Sequence, residues 1–282
     1  MLGHKLVQTL NEKFDVYGTI RGEFADVERF GIFDRNRTIE RTDVTDISSV
    51  VRALQIAKPE VVINAAGIIK QRLESEDVVR TLSINSVFPH LLADLSGEYK
   101  FRLITISTDC VFSGKTGNYS EAEIPDAHTL YGISKLLGEV KQANCLTIRT
   151  SIIGRELADA HGLVEWFLSN RGHSLKGYVN ANYSGFPTII LADILSWIIK
   201  DHPELQGVYH VSSDPINKFQ LLNILNRYYQ SNISIEPSED PRIDRSLDSS
   251  AFIRATGFSP MSWEKMIEQM AADPTPYETW RR

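Results

Sequence analysis

The chain has 282 residues, 42% of them hydrophobic and 23% charged, with a formal net charge of −6. That supports a large buried core, as one α/β unit or two domains sharing a cleft. The acidic balance and the scattered Lys and Arg exclude a nucleic-acid footprint, and no apolar run approaches the roughly 18 residues a membrane span needs.

Met1 to Lys13 reads as an amphipathic helix, with Leu2, Leu6, Val7 and Leu10 on one face and Lys5, Gln8 and Asn11 away from it. Phe14 to Ile20 reads as a strand ended by Arg21-Gly22. A strand after such a helix is the second of a βαβ unit, and its end lies beside a dinucleotide's adenosine ribose. An acid there would bond the 2′-hydroxyl; Arg21 suits a 2′-phosphate, with a plain surface arginine as the alternative. Asp43-Val44-Thr45-Asp46 precedes a helix pattern over Ile47 to Ala57, with Thr45 or Asp46 as its N-cap. Pro59 to Gly67 is a buried strand running into Ala65, Ala66 and Gly67, small residues that let a cofactor approach the backbone. Val78 to Leu95 reads as a helix, with Asn85 inside it as a packing or hydrogen-bonding device.

Arg102 to Asp109 reads as a buried strand ending in hydroxyls, and ligands sit outside the carboxyl ends of strands in an open parallel sheet. Tyr131 and Lys135 follow on a helix pattern that runs to about Gln142. Their spacing of four puts both on one helix face. An ammonium beside a phenol lowers its pKa from the usual value of about 10 and readies it for general acid catalysis. Thr108 and Tyr131 are thus expected to face one reacting oxygen. Leu146 to Ser151 reads as a further strand, so strands and helices alternate from residue 14 to about 153, which predicts a doubly wound parallel sheet.

Beyond residue 154 the pattern loosens: a short helix over Leu163 to Leu168, an extended stretch over Gly177 to Thr188, and a buried helix over Ile190 to Ile199. A short strand follows over Val208 to Val211, then helices over Lys218 to Tyr229 and Ser249 to Thr256, the last stopped by Gly257. His210 reads as a satisfied core histidine, and the seven histidines show no metal spacing. The tail from Asp273 reads as loosely held. Two cysteines, Cys110 and Cys145, without a secretory signal, predict reduced thiols in a cytoplasmic protein.

Together these pieces resemble the extended short-chain dehydrogenase/reductase family, and within it dTDP-4-dehydrorhamnose reductases and related nucleotide-sugar reductases. Met1-Leu2-Gly3 resembles the end of the family's Gly-rich loop, Asp43-Val44 the adenine-contacting pair, and Asn64-Ala65-Ala66-Gly67 the motif after the fourth strand. Ser107-Thr108-Asp109-Cys110-Val111-Phe112-Ser113-Gly114 is similar to the reductase signature S-T-D-Y-V-F-x-G, with Cys110 in place of tyrosine. Gly185-Phe186-Pro187-Thr188 resembles the G-x-P-T segment beside the sugar nucleotide, with Tyr183 where a glutamine is usual. A family member carries a first strand and two more glycines, roughly 10 residues, ahead of the position of Met1. The expectation is that the working start lies upstream or that the chain is truncated, with cofactor binding weakened in either case.

The resemblance implies a Rossmann-like doubly wound parallel sheet over 1–153 that binds the cofactor. A smaller substrate-binding region spans 154–282, with segments near 189–211 returning to the first unit. It implies reduction of the C4 ketone of a nucleoside-diphosphate 4-keto-6-deoxy sugar by NADPH, with NADH as the second option. Tyr131 gives the proton, Lys135 lowers its pKa and holds the nicotinamide ribose, and Thr108 orients the reacting oxygen. Gly3, Arg21, Asp43, Val44, Ala65, Ala66 and Gly67 join Tyr131 and Lys135 around the cofactor. Thr108, Asp109, Tyr183 and Arg245 face the substrate. From their own chemistry, Arg242 and Arg245 suit a diphosphate, with solvated arginines near an acidic loop as the equal alternative. Epimerisation or dehydration on the same fold, and a non-catalytic binding subunit, are the alternatives. The partner is a nucleotide sugar, without nucleic acid or membrane; a homodimer is left open.

Overall fold

Helix α1, Leu2–Leu10, opens the chain in a computed structural model that describes residues 1–69, 77–158 and 161–280. Leu2, Leu6 and Leu10 fall on one face by their spacing of four and enter the main core. The helix stops short of Lys13 because Lys13 N and Phe14 N both turn back to Leu10 O. The strand predicted over Phe14 to Ile20 shrinks to β1, Gly18–Thr19. After α2, Ala25–Glu28, β1 pairs in parallel with β2, Thr38–Ile39, a two-residue strand too short to show a period in sequence. Asp46 caps α3, Ile47–Ala57, by accepting from Ser48 N, and β3, Val61–Asn64, follows.

The helix predicted over Val78 to Leu95 is three pieces: α4, Val78–Leu82; a π-helical turn, Ser83–Val87; and α5, Phe88–Tyr99. The cause is Pro89, which has no N–H for Asn85 O, so the ladder widens and Phe88 N reaches Ser83 O, five residues back. Next come β4, Arg102–Thr108, and α6, Leu130–Leu137. Thr129 caps α6 by accepting from Gly132 N, and Gly138 ends it before Gln142. Strands β5, Cys145–Thr150, and β6, Ile152–Ile153, complete this part.

The remaining elements run in order: α7, Leu163–Ser169; β7, Ser174–Tyr178; β8, Ala181–Tyr183; β9, Phe186–Pro187; α8, Thr188–Asp201; and β10, Gly207–His210. After them come β11, Ile216–Asn217; α9, Lys218–Tyr228; β12, Ser234–Ser238; β13, Ile243–Asp244; α10, Ser250–Thr256; α11, Trp263–Ala271; and α12, Tyr277–Trp280.

The central sheet has the order β10-β5-β4-β3, every pair parallel. The pair β1-β2 forms a separate sheet. The doubly wound order places one further strand between β1 and β3; among the described residues none pairs there. Smaller sheets, β11-β8-β13, β12-β7 and β6-β9, belong to the C-terminal half. Alternation along β4 sends Ile104 into a large core with Phe167, Phe186, Leu191 and Ile198, and Leu103 into a second core with Leu54, Phe88, Phe101 and Val140. A strand buried on both faces is a rigid base for whatever its carboxyl end carries.

The tail is not loose. Lys5 Nζ donates to Asp273 Oδ2 at 2.5 Å and to Thr275 Oγ1 at 3.2 Å, and His4 Nε2 meets Tyr277 OH at 2.8 Å. Trp280 packs edge-on against Phe30, 5.1 Å between centroids. The tail is held because His4 and Lys5 lie beside the leucine stripe of α1 and need buried partners. Burial, with the positive charges beside it, holds the His4 imidazole down at about 3. A group with a folded pKa below its unfolded value of about 6.5 is protonated preferentially in the unfolded chain. Stability is therefore present above pH 6.5 and falls as the pH drops below it, by about 1.4 kcal/mol per unit from this group. His4→Gln keeps a partner for Tyr277, and its urea unfolding is expected to lack that component between pH 6.5 and 5; equal slopes for both proteins would refute the assignment.

Candidate active site

Four of the sequence-derived residues meet at the carboxyl end of β4. Thr108 Oγ1 donates to Asp109 Oδ1 at 3.1 Å and accepts from Cys110 N at 3.2 Å. The same hydroxyl lies close enough to the Tyr131 phenol to oppose the rise in its pKa. Lys135, one turn further on α6, is buried and donates from Nζ to Ile106 O at 2.7 Å. Gly132 brings the two elements together: a Cβ there would lie 2.2 Å from Cys110 O.

The electrostatics correct one expectation. Burial pushes the Tyr131 phenol above its ordinary value; the nearby Cys110 and Asp109 add to this, and only the Thr108 hydrogen bond opposes it. Lys135 does not lower it, because its ammonium is turned onto the β4 carbonyl. Burial in turn brings Lys135 down to about 8, with the Glu139 carboxylate opposing. Tyr131 thus holds its proton throughout the neutral range, as a group that is to give one away must.

Asn85, on the π-helical turn, braces this arrangement. Its Oδ1 accepts from Ile68 N at 2.9 Å, and its Nδ2 donates to Ile68 O at 3.0 Å and Ser134 Oγ at 3.1 Å. Ser86 Oγ adds a bond to Ser134 O at 2.8 Å. The loop after β3 is so fixed to α6, with Ala65 and Gly67 exposed and Ala66 half-buried.

The other predicted cofactor residues lie apart from that cluster. Gly3 is exposed at the start of α1, with no atom within 4 Å of where a Cβ would stand. Asp43 lines a cavity of about 330 Å³ with Thr45, Asp77, Val79, Arg80, Ser83 and Ile84. Its Oδ1 accepts from Thr45 N and Thr45 Oγ1, and Arg21 and Arg80 both act on it; the Thr45 bonds do most to hold the carboxyl low. Val44 packs on the second core instead of lining the cavity.

Tyr183, expected to face the substrate, is buried, its hydroxyl has no hydrogen-bond partner among the described residues, and its phenol is pushed up by burial and then by the Asp109 charge. Lys218 Nζ lies 3.8 Å from the Tyr183 ring centroid. Arg245 donates from Nε to Phe112 O at 3.0 Å and from Nη2 to Ser113 O at 3.2 Å, which braces the segment after β4. Arg242 is exposed and pairs with Glu239 at 3.4 Å. Both fall near backbone or acidic partners that sequence spacing does not reveal.

Sequence reading missed Glu139, Arg149 and the linkage of His210 to them. Arg149 Nε and Nη2 donate to the two Glu139 carboxylate oxygens at 2.7 Å each, and Ser107 Oγ donates to Glu139 Oε1 at 2.8 Å. The signal was present: Glu139 lies four residues after Lys135, as Lys135 does after Tyr131.

The donor set fits a dinucleotide at both ends. A carboxylate with one oxygen uncommitted to Thr45 suits an adenine amino group, and the Arg21 and Arg80 charges suit a phosphate nearby. Lys135 has donors left over from its one bond to Ile106 O. A doubly wound sheet whose inner strand ends in Ser107-Thr108-Asp109, with Tyr131 and Lys135 on the following helix, defines the short-chain dehydrogenase/reductase class.

Within that class the chain belongs to the RmlD substrate binding domain family, whose model matches residues 1–275. It is 29% identical over 183 residues to the spore coat polysaccharide biosynthesis protein SpsK of Bacillus subtilis (strain 168), a match that covers 64% of either chain, just under two thirds of that relative. It is 23% identical over 261 residues to dTDP-4-dehydrorhamnose reductase of Aggregatibacter actinomycetemcomitans, covering 82% of this chain and 86% of the other. In fold it is similar to the crystal structure of dTDP-4-dehydrorhamnose reductase from Bacillus anthracis str. Ames in complex with NADP, with a TM-score of 0.73 and 22% identity over 92% of this chain and 99% of that one.

Proposed function

We propose that the protein reduces the C4 ketone of a nucleoside-diphosphate 4-keto-6-deoxy sugar with NADPH, as a dTDP-4-dehydrorhamnose reductase does, in making cell-surface polysaccharide precursors. One observation carries the reading: Thr108 and Tyr131 lie beside one another at the end of β4, with Lys135 one turn away on α6. The cofactor supplies hydride. Gly3, Arg21, Asp43, Ala65, Ala66 and Gly67 hold it, with Val44 behind Asp43, and Lys135 directs its remaining donors to the nicotinamide ribose. Arg21 with Arg80 favours NADPH over NADH.

Tyr131 holds the proton destined for the developing alkoxide. Thr108 turns its hydroxyl to that oxygen, so charge is met where it appears in the transition state. Asp109 sets the orientation of Thr108, and the unpartnered Tyr183 hydroxyl takes a polar group of the sugar. The unit over 1–153 holds the cofactor and that over 154–282 the substrate, with the segments near 189–211 returning to the first. The working compartment is the cytoplasm, where nucleotide sugars are soluble substrates. Among the described residues no helix is long and apolar enough to cross a membrane.

The test is a thermal-shift titration with NADPH and NADH, followed by turnover of dTDP- and UDP-linked 4-keto-6-deoxy sugars with product analysis. A larger shift with NADPH and a C4 alcohol as product are expected. An epimerised ketone, or cofactor oxidised and reduced in place, would move the assignment to epimerase or dehydratase chemistry.

A further inference from the structure

Behind the catalytic face of β4 lies a second polar cluster. Glu139 and Arg149 are both buried, their side chains 2% and 5% exposed. Arg149 Nη1 faces His210 Nε2 at 3.1 Å, and His210 Nδ1 faces Tyr119 O at 2.9 Å. An arginine can only donate, so Nε2 accepts and Nδ1–H donates to the carbonyl, which fixes the tautomer. Tyr119 stacks on Phe112, 4.2 Å between centroids, and its hydroxyl accepts from Gly114 N and Thr116 N. The chain of contacts runs from α6, through β5 and β10, to the segment after β4.

A buried ion pair is weak evidence of stabilisation, because two charges must leave water. What the pair does geometrically is specific. Glu139 holds the end of α6 to Ser107, whose neighbour is Thr108, while Lys135 holds the same helix to Ile106. The last turn of α6 and the residue just past its Gly138 cap are thereby registered against successive residues of β4. We propose that the Glu139–Arg149 pair, backed by His210, is a positioning device that sets Lys135 and Thr108 relative to one another. This rests on the reductase reading for its kinetic consequence and not for its structural one.

Glu139, just past the end of α6, also acts on the Lys135 charge. Of the elements packed against α6, the turn after β4 carries Asp109 and Cys110, α4 carries Arg80, β4 carries Arg102 at its opposite end, and the π-helical turn carries no ionisable group. Glu139 is the charge that bears on Lys135, and its loss moves the ammonium below about 8.

The experiment uses the full chain with [ε-¹³C]lysine, the Lys135 resonance being assigned with Lys135→Arg. Glu139→Gln is expected to lower the Lys135 titration midpoint by about one unit, to reduce kcat at least about tenfold, and to leave the NADPH Kd and the substrate KM within about threefold. Glu139→Gln leaves Arg149 unpaired, so the Glu139→Met/Arg149→Met double variant is the companion, since apolar replacement of a buried pair commonly preserves folding. It is expected to fold and still to lose kcat. An unchanged Lys135 titration in Glu139→Gln, or wild-type kcat in the double variant, overturns the proposal. So does a double variant that fails to fold, which would make the pair a stability element. If the wild-type chain reduces no keto sugar, the reductase reading fails, while the lysine titration still decides whether Glu139 governs Lys135.

Discussion

Tyr131→Phe is expected to lose roughly 10²- to 10⁴-fold in turnover, the range supplied by one positioned general acid. The loss follows from where the proton resides. Burial, Cys110 and Asp109 all keep the phenol protonated, so at neutral pH it meets the forming alkoxide as an acid. Phenylalanine fills the same place against Thr108 and removes only the O–H. The proposed cofactor contacts at Asp43 and Lys135 would be untouched, and NADPH affinity should stay within about threefold, since one hydrogen bond at most is lost there. Thr108 stays held by Cys110 N, and its single O–H can turn from Asp109 to the reacting oxygen as before. Stopped-flow reduction of a 4-keto sugar, beside a fluorescence titration of NADPH, separates the two effects. Turnover within a few-fold of wild type would remove Tyr131 from the acid role. A large rise in the NADPH Kd would make it a binding residue instead.

The parts of the molecule readable from residues alone were those fixed by local periodicity. β4 and β5 are short runs rich in Leu, Ile and Thr, α3 announces itself with Asp46, and α8 and α10 end where polarity or Gly257 dictates. The Tyr131–Lys135 spacing read correctly as one face of a helix. What it could not show was direction of interaction. The ammonium had a choice between a phenol and a backbone carbonyl, and in the folded chain it donates to the carbonyl of Ile106. The same limit applies to Arg245, which braces Phe112 and Ser113, and to the tail, whose Asp273 and Tyr277 find partners 268 and 273 residues away. Short strands such as β2 carry no pattern to read. Non-local pairing of polar groups is set by tertiary packing, and sequence spacing carries little of it.

The π-helical turn shows how a single residue reaches the site through that packing. Pro89 deprives Asn85 O of its helical partner, and the released carbonyl faces the C-terminal end of α6. A Cβ on Gly138 would lie 1.9 Å from Asn85 O, 3.0 Å from Asn85 C and 3.2 Å from Ser86 Cα. All three are backbone atoms, so no side chain can swing aside. Gly138 has φ −91°, a conformation open to alanine, so the cost of Gly138→Ala is overlap and not backbone strain. Overpacking of this kind costs about 1–3 kcal/mol or more. Shifting the turn also strains the buried bonds of Asn85 to Ile68 and Ser134, each worth about 1 kcal/mol. A total near 3–5 kcal/mol is expected in urea unfolding, a large share of the roughly 5–15 kcal/mol a domain possesses. Gly97→Ala is the control: it lies within α5, meets nothing within 4 Å, and should stabilise by about 0.5–1 kcal/mol. If Gly138→Ala unfolds at the wild-type urea midpoint, the turn yields freely and Asn85 does not register α6.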